Sequence, residues 1–257
     1  MDLHLTGKIA VVTGASKGIG LAVARALAAE GVQVVAGARE WHEEPVPLVH
    51  PVAVDLGTAE GPGLLVEEAV RLFGGVDILV NNVGAVRPRT GGFLTITDDD
   101  WAGMVALNLM SAVRATRAVL PHLLERGAGS VVTIGSVNAF LPDPLVMDYS
   151  AAKAALANFT KSLSKEFGPR GIRVNTISPG PVATALWLGA GGVAATVAEA
   201  SGGDAEAVAK SAASGMVTGR FTTPEEVADL VLLLASDRAG NVTGADFTID
   251  GGLVTTL

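Results

Sequence analysis

Residues Lys8 to Glu30 read KIAVVTGASKGIGLAVARALAAE, and this stretch decides the fold. Lys8–Thr13 is a short, β-branched, apolar run of the kind that forms a buried strand. Glycines 14, 18 and 20 then break the pattern, and Ile19–Glu30 is an alanine- and leucine-rich helical segment ended by Gly31 at its C-cap. A strand running through a glycine turn into a helix is the first half of a βαβ unit.

Working outward, the same alternation continues. Strands are expected at Val32–Ala36, Pro51–Val54, Asp77–Asn81, Ser130–Ile134, Ile172–Ile177 and Asp246–Ile249. Helices are expected at Thr58–Phe73, Asp98–Glu125 with Thr97 as its N-cap, Asp148–Phe167 and Pro224–Ala235. Gly37 to His50 holds Pro45 and Pro47 and is too short for a crossover helix, so a loop is expected there. The pattern predicts an α/β chain: a Rossmann-type, doubly wound parallel sheet of about seven strands with helices on both faces. No linker or repeat divides it, so residues 1–257 are read as a single domain. Residues 185–219, rich in Gly, Ala and Ser, are read as a mobile flap.

Composition narrows the chemistry. Apolar residues make up 49% and charged residues 17%, which excludes a disordered chain. Cysteine is absent, which excludes disulfides, thiolate zinc sites and a cysteine nucleophile. The four histidines are scattered without ligand spacing, so no metal site is expected. A net charge of −8 argues against a nucleic-acid partner. The stretch between Arg173 and Glu199 carries no charge, but its Pro and Gly residues make it a poor membrane span. The reading is a soluble, cytoplasmic protein with no membrane partner.

The turn of Gly14, Ser16, Lys17, Gly18, Ile19 and Gly20 lets the backbone approach a pyrophosphate at the N-terminus of a helix. The second strand lacks the terminal acid that would bind a ribose 2′-hydroxyl. The first charge beyond it is Arg39, and Lys17 lies in the turn. Two cations suit a 2′-phosphate, which places NADP(H) ahead of NAD(H). The chain's single tyrosine, Tyr149, precedes Lys153 by one helical turn, and Ser136 follows a strand at the ligand-binding edge of the sheet. A phenol catalyses acid–base chemistry near neutrality only if its phenolate is stabilised, which the Lys153 ammonium would do.

Taken together, these motifs make the chain resemble the short-chain dehydrogenase/reductases, in their single-domain branch. The resemblance spans Thr13–Gly20, Asp55, Asn81–Gly84, Asn108, Ser136, Tyr149 with Lys153, Pro179–Gly180 and Asp250–Gly252. It implies Tyr149 as general acid–base, Ser136 orienting the reacting oxygen, Lys153 holding the nicotinamide ribose, and Asn108 anchoring a water in a proton relay. A mid-helix Asn is also consistent with a local helix distortion. The resemblance further assigns Asp55 and Leu56 to the adenine and Asn82, beside Gly84, to the adenosine ribose. Val182 and Thr184, after Pro179 and Gly180, fall to the nicotinamide carboxamide. Val83 departs from the family's alanine, and the short segment after Arg39 leaves the adenine side more open.

The expected reaction is hydride transfer between nicotinamide and a ketone, aldehyde or alcohol. The substrate is expected to be a moderately apolar small molecule held among Ser136, Asn138, Phe140, Tyr149 and Trp187. A 3-oxoacyl-(acyl-carrier-protein) reductase ranks second. Ser130 stands where an arginine enters strand five in that subclass, although Arg170 and Arg173 remain, and the acidic net charge would weaken steering of an acidic carrier. A non-catalytic NADP(H) sensor ranks third, because Ser136, Tyr149 and Lys153 are all present. The resemblance implies a homotetramer or homodimer, paired through Asn108–Leu120, Ala151–Phe167 and the C-terminal Phe247–Leu257.

Overall fold

A computed structural model describes residues 2–256; Met1 and Leu257, the latter ending the expected C-terminal contact segment, lie outside the described residues. Among the described residues, seven strands form one wholly parallel sheet in the order β3-β2-β1-β4-β5-β6-β7. They are β1 (Ile9–Thr13), β2 (Gln33–Ala38), β3 (Val49–Ala53), β4 (Ile78–Asn81), β5 (Gly129–Ile134), β6 (Ile172–Pro179) and β7 (Asp246–Ile249). Between them run α1 (Gly18–Ala29), α2 (Gly61–Phe73), α3 (Asp98–Val105), α4 (Ser111–Arg126) and α5 (Met147–Phe167). Then come α6 (Ala185–Leu188), α7 (Val193–Ser201), α8 (Ala205–Ser214) and α9 (Pro224–Ala235).

Alternation along the strands fills two cores, one on each face of the sheet. Val12, Val34, Val80 and Val132 pack beneath α1 and α9, whereas Val11, Val35, Leu79 and Val131 pack against residues of α2, α4 and α5. Burial on both faces explains why the strands read as continuous apolar runs rather than as alternating ones. Pro51 and half-exposed His50 sit in β3, an edge strand, where a missing amide donor is tolerated. The β2–β3 connection is a loop, and its Trp41 and Val46 pack against the α1-side core.

Two segments differ from the sequence expectation. The long helix from Asp98 is interrupted by a π turn at Ala106–Met110, centred on Asn108. Its start matches the expectation: Thr97 accepts from the Asp100 amide while Asp100 reaches back to Thr97. Residues 185–219, read as a mobile flap of Gly, Ala and Ser, carry three helices, α6, α7 and α8. Their alanines favour helix more than their glycines oppose it. Asp204 caps α8, and Gly202, at φ +67°, ends α7 in the left-handed conformation. The charge-free stretch from Arg173 to Glu199 is thus β6, a loop, α6 and most of α7. Among the described residues no helix is long and apolar enough to cross a membrane.

The sheet reverses winding between β1 and β4, and the ends of those strands are stitched together. The Thr13 hydroxyl accepts from the amides of Asn82 (2.9 Å) and Val83 (3.1 Å) and donates to the Val80 carbonyl (3.2 Å). The Asn82 amide group donates to the carbonyls of Thr13 (2.9 Å) and Gly14 (3.0 Å). Thr13→Val would leave two amides without an acceptor and should lower unfolding free energy by about 2–3 kcal/mol. Thr13→Ser, which keeps the hydroxyl, should cost under about 1 kcal/mol. Urea denaturation of both variants checks the contrast.

Candidate active site

The site assembles at the C-terminal ends of β1, β4, β5 and β6. A side chain on Gly14 would come within 2.9 Å of the Val83 Cα. One on Gly20 would collide with the Gly14 carbonyl, and one on Gly18 would come within 3.2 Å of Thr184. The glycine turn is therefore in contact with the loops leaving β4 and β6. Helix α1 starts at Lys17 with no side-chain cap and no acid in its first turn, so its leading amides face outward without a protein acceptor from a side chain. Ser16 is half-buried, Lys17 exposed, and Ile19 packs on the core.

Helix α5 brings Tyr149 and Lys153 to the end of β5. Lys153 is buried, and its Nζ donates to the Ile134 carbonyl at 2.8 Å while lying 5.7 Å from the centre of the Tyr149 ring. Burial lowers the Lys153 pKa to about 8. Burial also pushes the Tyr149 phenol above its usual value, and the hydroxyl of Ser136 pulls it partly back. Ser136 is itself buried. Its Oγ accepts from the Asn138 amide and donates to Asn138 Oδ1, both at 3.2 Å.

Gly84 joins these groups to Asn108, because a Cβ there would lie 2.7 Å from Asn108 Oδ1 and 3.7 Å from Lys153 Nζ. Asn108 is buried in the π turn. Its Oδ1 accepts from the Ala85 amide (3.1 Å), and its Nδ2 donates to the carbonyls of Ala85 (3.0 Å) and Met104 (3.1 Å). Both ends of this amide are thus engaged in holding the loop after β4.

A family profile described as enoyl-(acyl carrier protein) reductase matches residues 14–254. Human dehydrogenase/reductase SDR family member 4 is 34% identical over 261 residues, covering 96% of this chain and 88% of its own length. The chain belongs to the short-chain dehydrogenase/reductase family. The 3-oxoacyl-[acyl-carrier-protein] reductase of Thermotoga maritima is 33% identical, covering 98% of this chain and all of the relative. Among solved structures, the L-sorbose reductase of Gluconobacter frateurii, complexed with NADPH and L-sorbose, superposes with a TM-score of 0.90. It is 35% identical over the full length of both chains. As a short-chain dehydrogenase/reductase with reductase and dehydrogenase relatives, the protein is an oxidoreductase.

Within this short-chain dehydrogenase/reductase, the remaining expected residues fall in different surroundings. Arg39 and Asp55 are exposed, Asp55 Oδ1 accepting from the Gly57 amide (2.9 Å), and Asn82 lines the β1–β4 junction. Gly180 packs against Asp250, where a Cβ would approach the Asp250 Cα to 2.9 Å, and Pro179 ends β6. Leu56 and Val182 turn their side chains into the cores, so only their backbones can face a ligand. Phe140 is exposed. Trp187 meets the edge of Phe221 at 5.4 Å and so rests on the protein itself.

One inference from the sequence is misplaced in space. Ser130 and Arg173 start β5 and β6, at the sheet edge opposite the site. Ser130 donates to the Leu234 carbonyl, and Arg173 donates to the carbonyls of Leu234, Ala235 and Ser236, closing the end of α9. Neither residue bears on a carrier at the active-site rim. The sequence carries no local sign of a buried ion pair beside the site, Arg89 with Asp148. The carboxylate one residue before Tyr149 looks like an ordinary first-turn acid, and no local spacing links it to Arg89.

Buried Lys153 makes stability depend on pH. The unfolded chain holds the lysine proton up to about 10.5, but the folded chain releases it near 8. Between those values the unfolded state binds more protons, so stability should rise with pH, by up to about 3 kcal/mol across the window. Urea midpoints of the wild type should climb through that range, and Lys153→Met should flatten the climb.

Proposed function

We propose that this protein is an NADP(H)-dependent oxidoreductase that interconverts a ketone or aldehyde with its alcohol, using Tyr149 as the general acid–base. The observation that carries this reading is the cluster of Ser136, Tyr149 and buried Lys153 beside a glycine turn that ends at an open helix N-terminus. When bound, the nicotinamide group supplies or accepts the hydride. In reduction, Tyr149 donates its phenolic proton to the substrate oxygen; in oxidation it takes the proton back. A phenol is protonated near neutrality and burial raises its pKa further, so the resting site is set for reduction, and the oxidation rate should rise with pH. Lys153, when charged, favours the phenolate and reaches toward the nicotinamide ribose. Ser136 donates to the substrate oxygen in place of its long bond to Asn138.

The glycine turn fits a pyrophosphate because Gly14 and Gly20 leave no room for a Cβ and the first amides of α1 face outward. Gly14, Ser16, Lys17, Gly18, Ile19 and Gly20 would hold that group. Asp55, the Leu56 backbone, Asn82 and Gly84 would border the adenosine. Pro179, Gly180, Val182 and Thr184 would meet the nicotinamide, the first three through backbone. Lys17 and Arg39 would bind the 2′-phosphate; Glu40, which could have neutralised Arg39, faces His42 instead at 3.1 Å. Asn108 would serve by fixing the loop after β4, since its amide is fully engaged.

Exposed Phe140, Leu141 and Leu145 follow β5, and exposed Leu186 and Leu188 lie in α6 beyond β6, which supports a moderately apolar small-molecule substrate. Asn138 and Trp187 would complete its enclosure. A second reading, reduction of a 3-oxoacyl thioester, draws on the similarity to the Thermotoga enzyme. Faster turnover of acetoacetyl carrier protein than of simple ketones would favour it. We also infer a homotetramer or homodimer, supported by the open edge of β7; light scattering reads the state directly.

Tyr149→Phe should reduce carbonyl turnover by about three orders of magnitude or more while NADPH still binds. Retained turnover would reject the role of the phenol. The Michaelis constant for NADPH should lie below that for NADH. Arg39→Ser should raise the NADPH value by roughly tenfold and leave the NADH value nearly unchanged. An NADH preference in the wild type would overturn the cofactor assignment.

A further inference from the structure

The strongest charged cluster outside the acid–base group is centred on Arg89, in the loop after β4. Its side chain is only 9% exposed, and that of its partner Asp148 is fully buried. Arg89 Nε donates to Asp148 Oδ2 at 3.0 Å, and Nη2 donates to the same oxygen. Nη1 donates to Asp100 Oδ1 at 2.9 Å, at the start of α3. The backbone amide of Arg89 donates to the Leu145 carbonyl (2.6 Å), just ahead of α5. Nearby Arg87 is 74% exposed and stands 3.7 Å from Asp100, so it does not duplicate this arrangement.

What the cluster holds is the first turn of α5. That helix has no side-chain cap, and Asp148 is the only acid in its opening turn. The Asp148 oxygen turned away from Arg89, Oδ1, accepts from the Tyr149 amide at 2.9 Å. The chain of contacts therefore runs from the Arg89 guanidinium through one buried carboxylate to the backbone of the residue that carries the phenol. One turn later the helix is held separately, through Lys153 and the Ile134 carbonyl. The two attachments lie one turn apart: the first bears on the backbone of Tyr149, the second on the side chain of Lys153. Hydrophobic residues could have closed this contact at similar or better stability, whereas a planar guanidinium fork fixes direction as well as distance.

We propose that Arg89 is a positioning residue that sets the placement of the Tyr149 phenol through Asp148. The proposal rests on the reading of Tyr149 as the acid–base. Loss of Arg89 frees the turn that bears Tyr149 and leaves the turn that bears Lys153, so chemistry suffers while cofactor binding persists. This separation is what a purely structural ion pair would not produce.

The test uses Arg89→Leu, Arg89→Lys, Asp148→Asn and the double variant Arg89→Leu/Asp148→Asn. Reduction of the best carbonyl from a ketone and aldehyde panel gives kcat, and NADPH fluorescence gives the cofactor Kd. Arg89→Leu should lower kcat by roughly ten- to a hundredfold and change the NADPH Kd by less than about twofold. The double variant should be no worse than the poorer single variant, because both act along one path. Arg89→Lys, which restores charge without the fork, should recover part of the loss.

A substrate-free arm uses the single tyrosine of the chain: 13Cζ-tyrosine labelling gives one resonance, from Tyr149. That resonance should shift or broaden in Arg89→Leu. A lowered melting temperature with unchanged kcat and an unmoved resonance would overturn the proposal, as would additive losses in the double variant. Should Arg89→Leu fail to fold, Asp148→Asn and Arg89→Lys decide by the same criteria. Retained turnover in Tyr149→Phe would reject the acid–base reading instead, and the resonance would still report whether Arg89 holds the ring.

Discussion

The hydroxyl of Thr13 bridges the ends of two strands that are 68 residues apart in pairing, and much of the site hangs on that bridge. At this point of a doubly wound sheet, neighbouring connections diverge to opposite faces and leave a crevice. Diverging loops need something to hold them at a fixed separation. Here one hydroxyl satisfies two amides, and the Asn82 side chain ties both loop backbones. Bulk at Gly14 or Gly20 would push this junction apart, so the sequence is constrained by space before any ligand arrives.

A second layer of constraint is electrostatic. The site buries a lysine whose hydrogen-bond acceptor is a backbone carbonyl. Such a cation is costly where water is excluded, and the cost appears as a lowered affinity for its proton. An adjacent phenol, on a half-buried residue, is desolvated as well and holds its proton more tightly. The two shifts run in opposite directions because the charged forms, cation and anion, are both disfavoured by the same desolvation. A group that brings them into contact with new polar partners would relieve both at once.

The parts of this arrangement legible in the sequence were those with a periodicity or a rigid spacing. The strands announced themselves as short apolar runs, and the absence of a crossover helix followed from Pro45 and Pro47. Tyr149 and Lys153 were readable because four residues make one helical turn. Asn108 signalled a distortion because its side chain competes with helical hydrogen bonding, and a π turn occupies that position. What escaped was whatever depends on direction or distance in space. Leu56 and Val182 were expected at the cofactor from the family resemblance, but their side chains point into the cores. Ser130 and Arg173 lie at the wrong end of their strands to touch the site. The helices of residues 185–214 were hidden because the glycines between them break up the alanine-rich helical pattern. Arg89 and Asp148 are separated by a long stretch of chain, and nothing local in either segment marks the contact.

The strand order also bears on how the chain comes together as it is made. β2 joins β1, β3 adds outside β2, and β4 adds on the free side of β1; from there β5, β6 and β7 each extend the same margin in turn. No strand has to be wedged between two that are already paired. A nascent polypeptide emerging from its N-terminus can therefore grow the sheet by accretion, despite the slow, non-local pairings that parallel architecture entails. The glycine turn and the crevice beside it are complete once β4 is in place, while Ser136, Tyr149 and Lys153 are still to be synthesised.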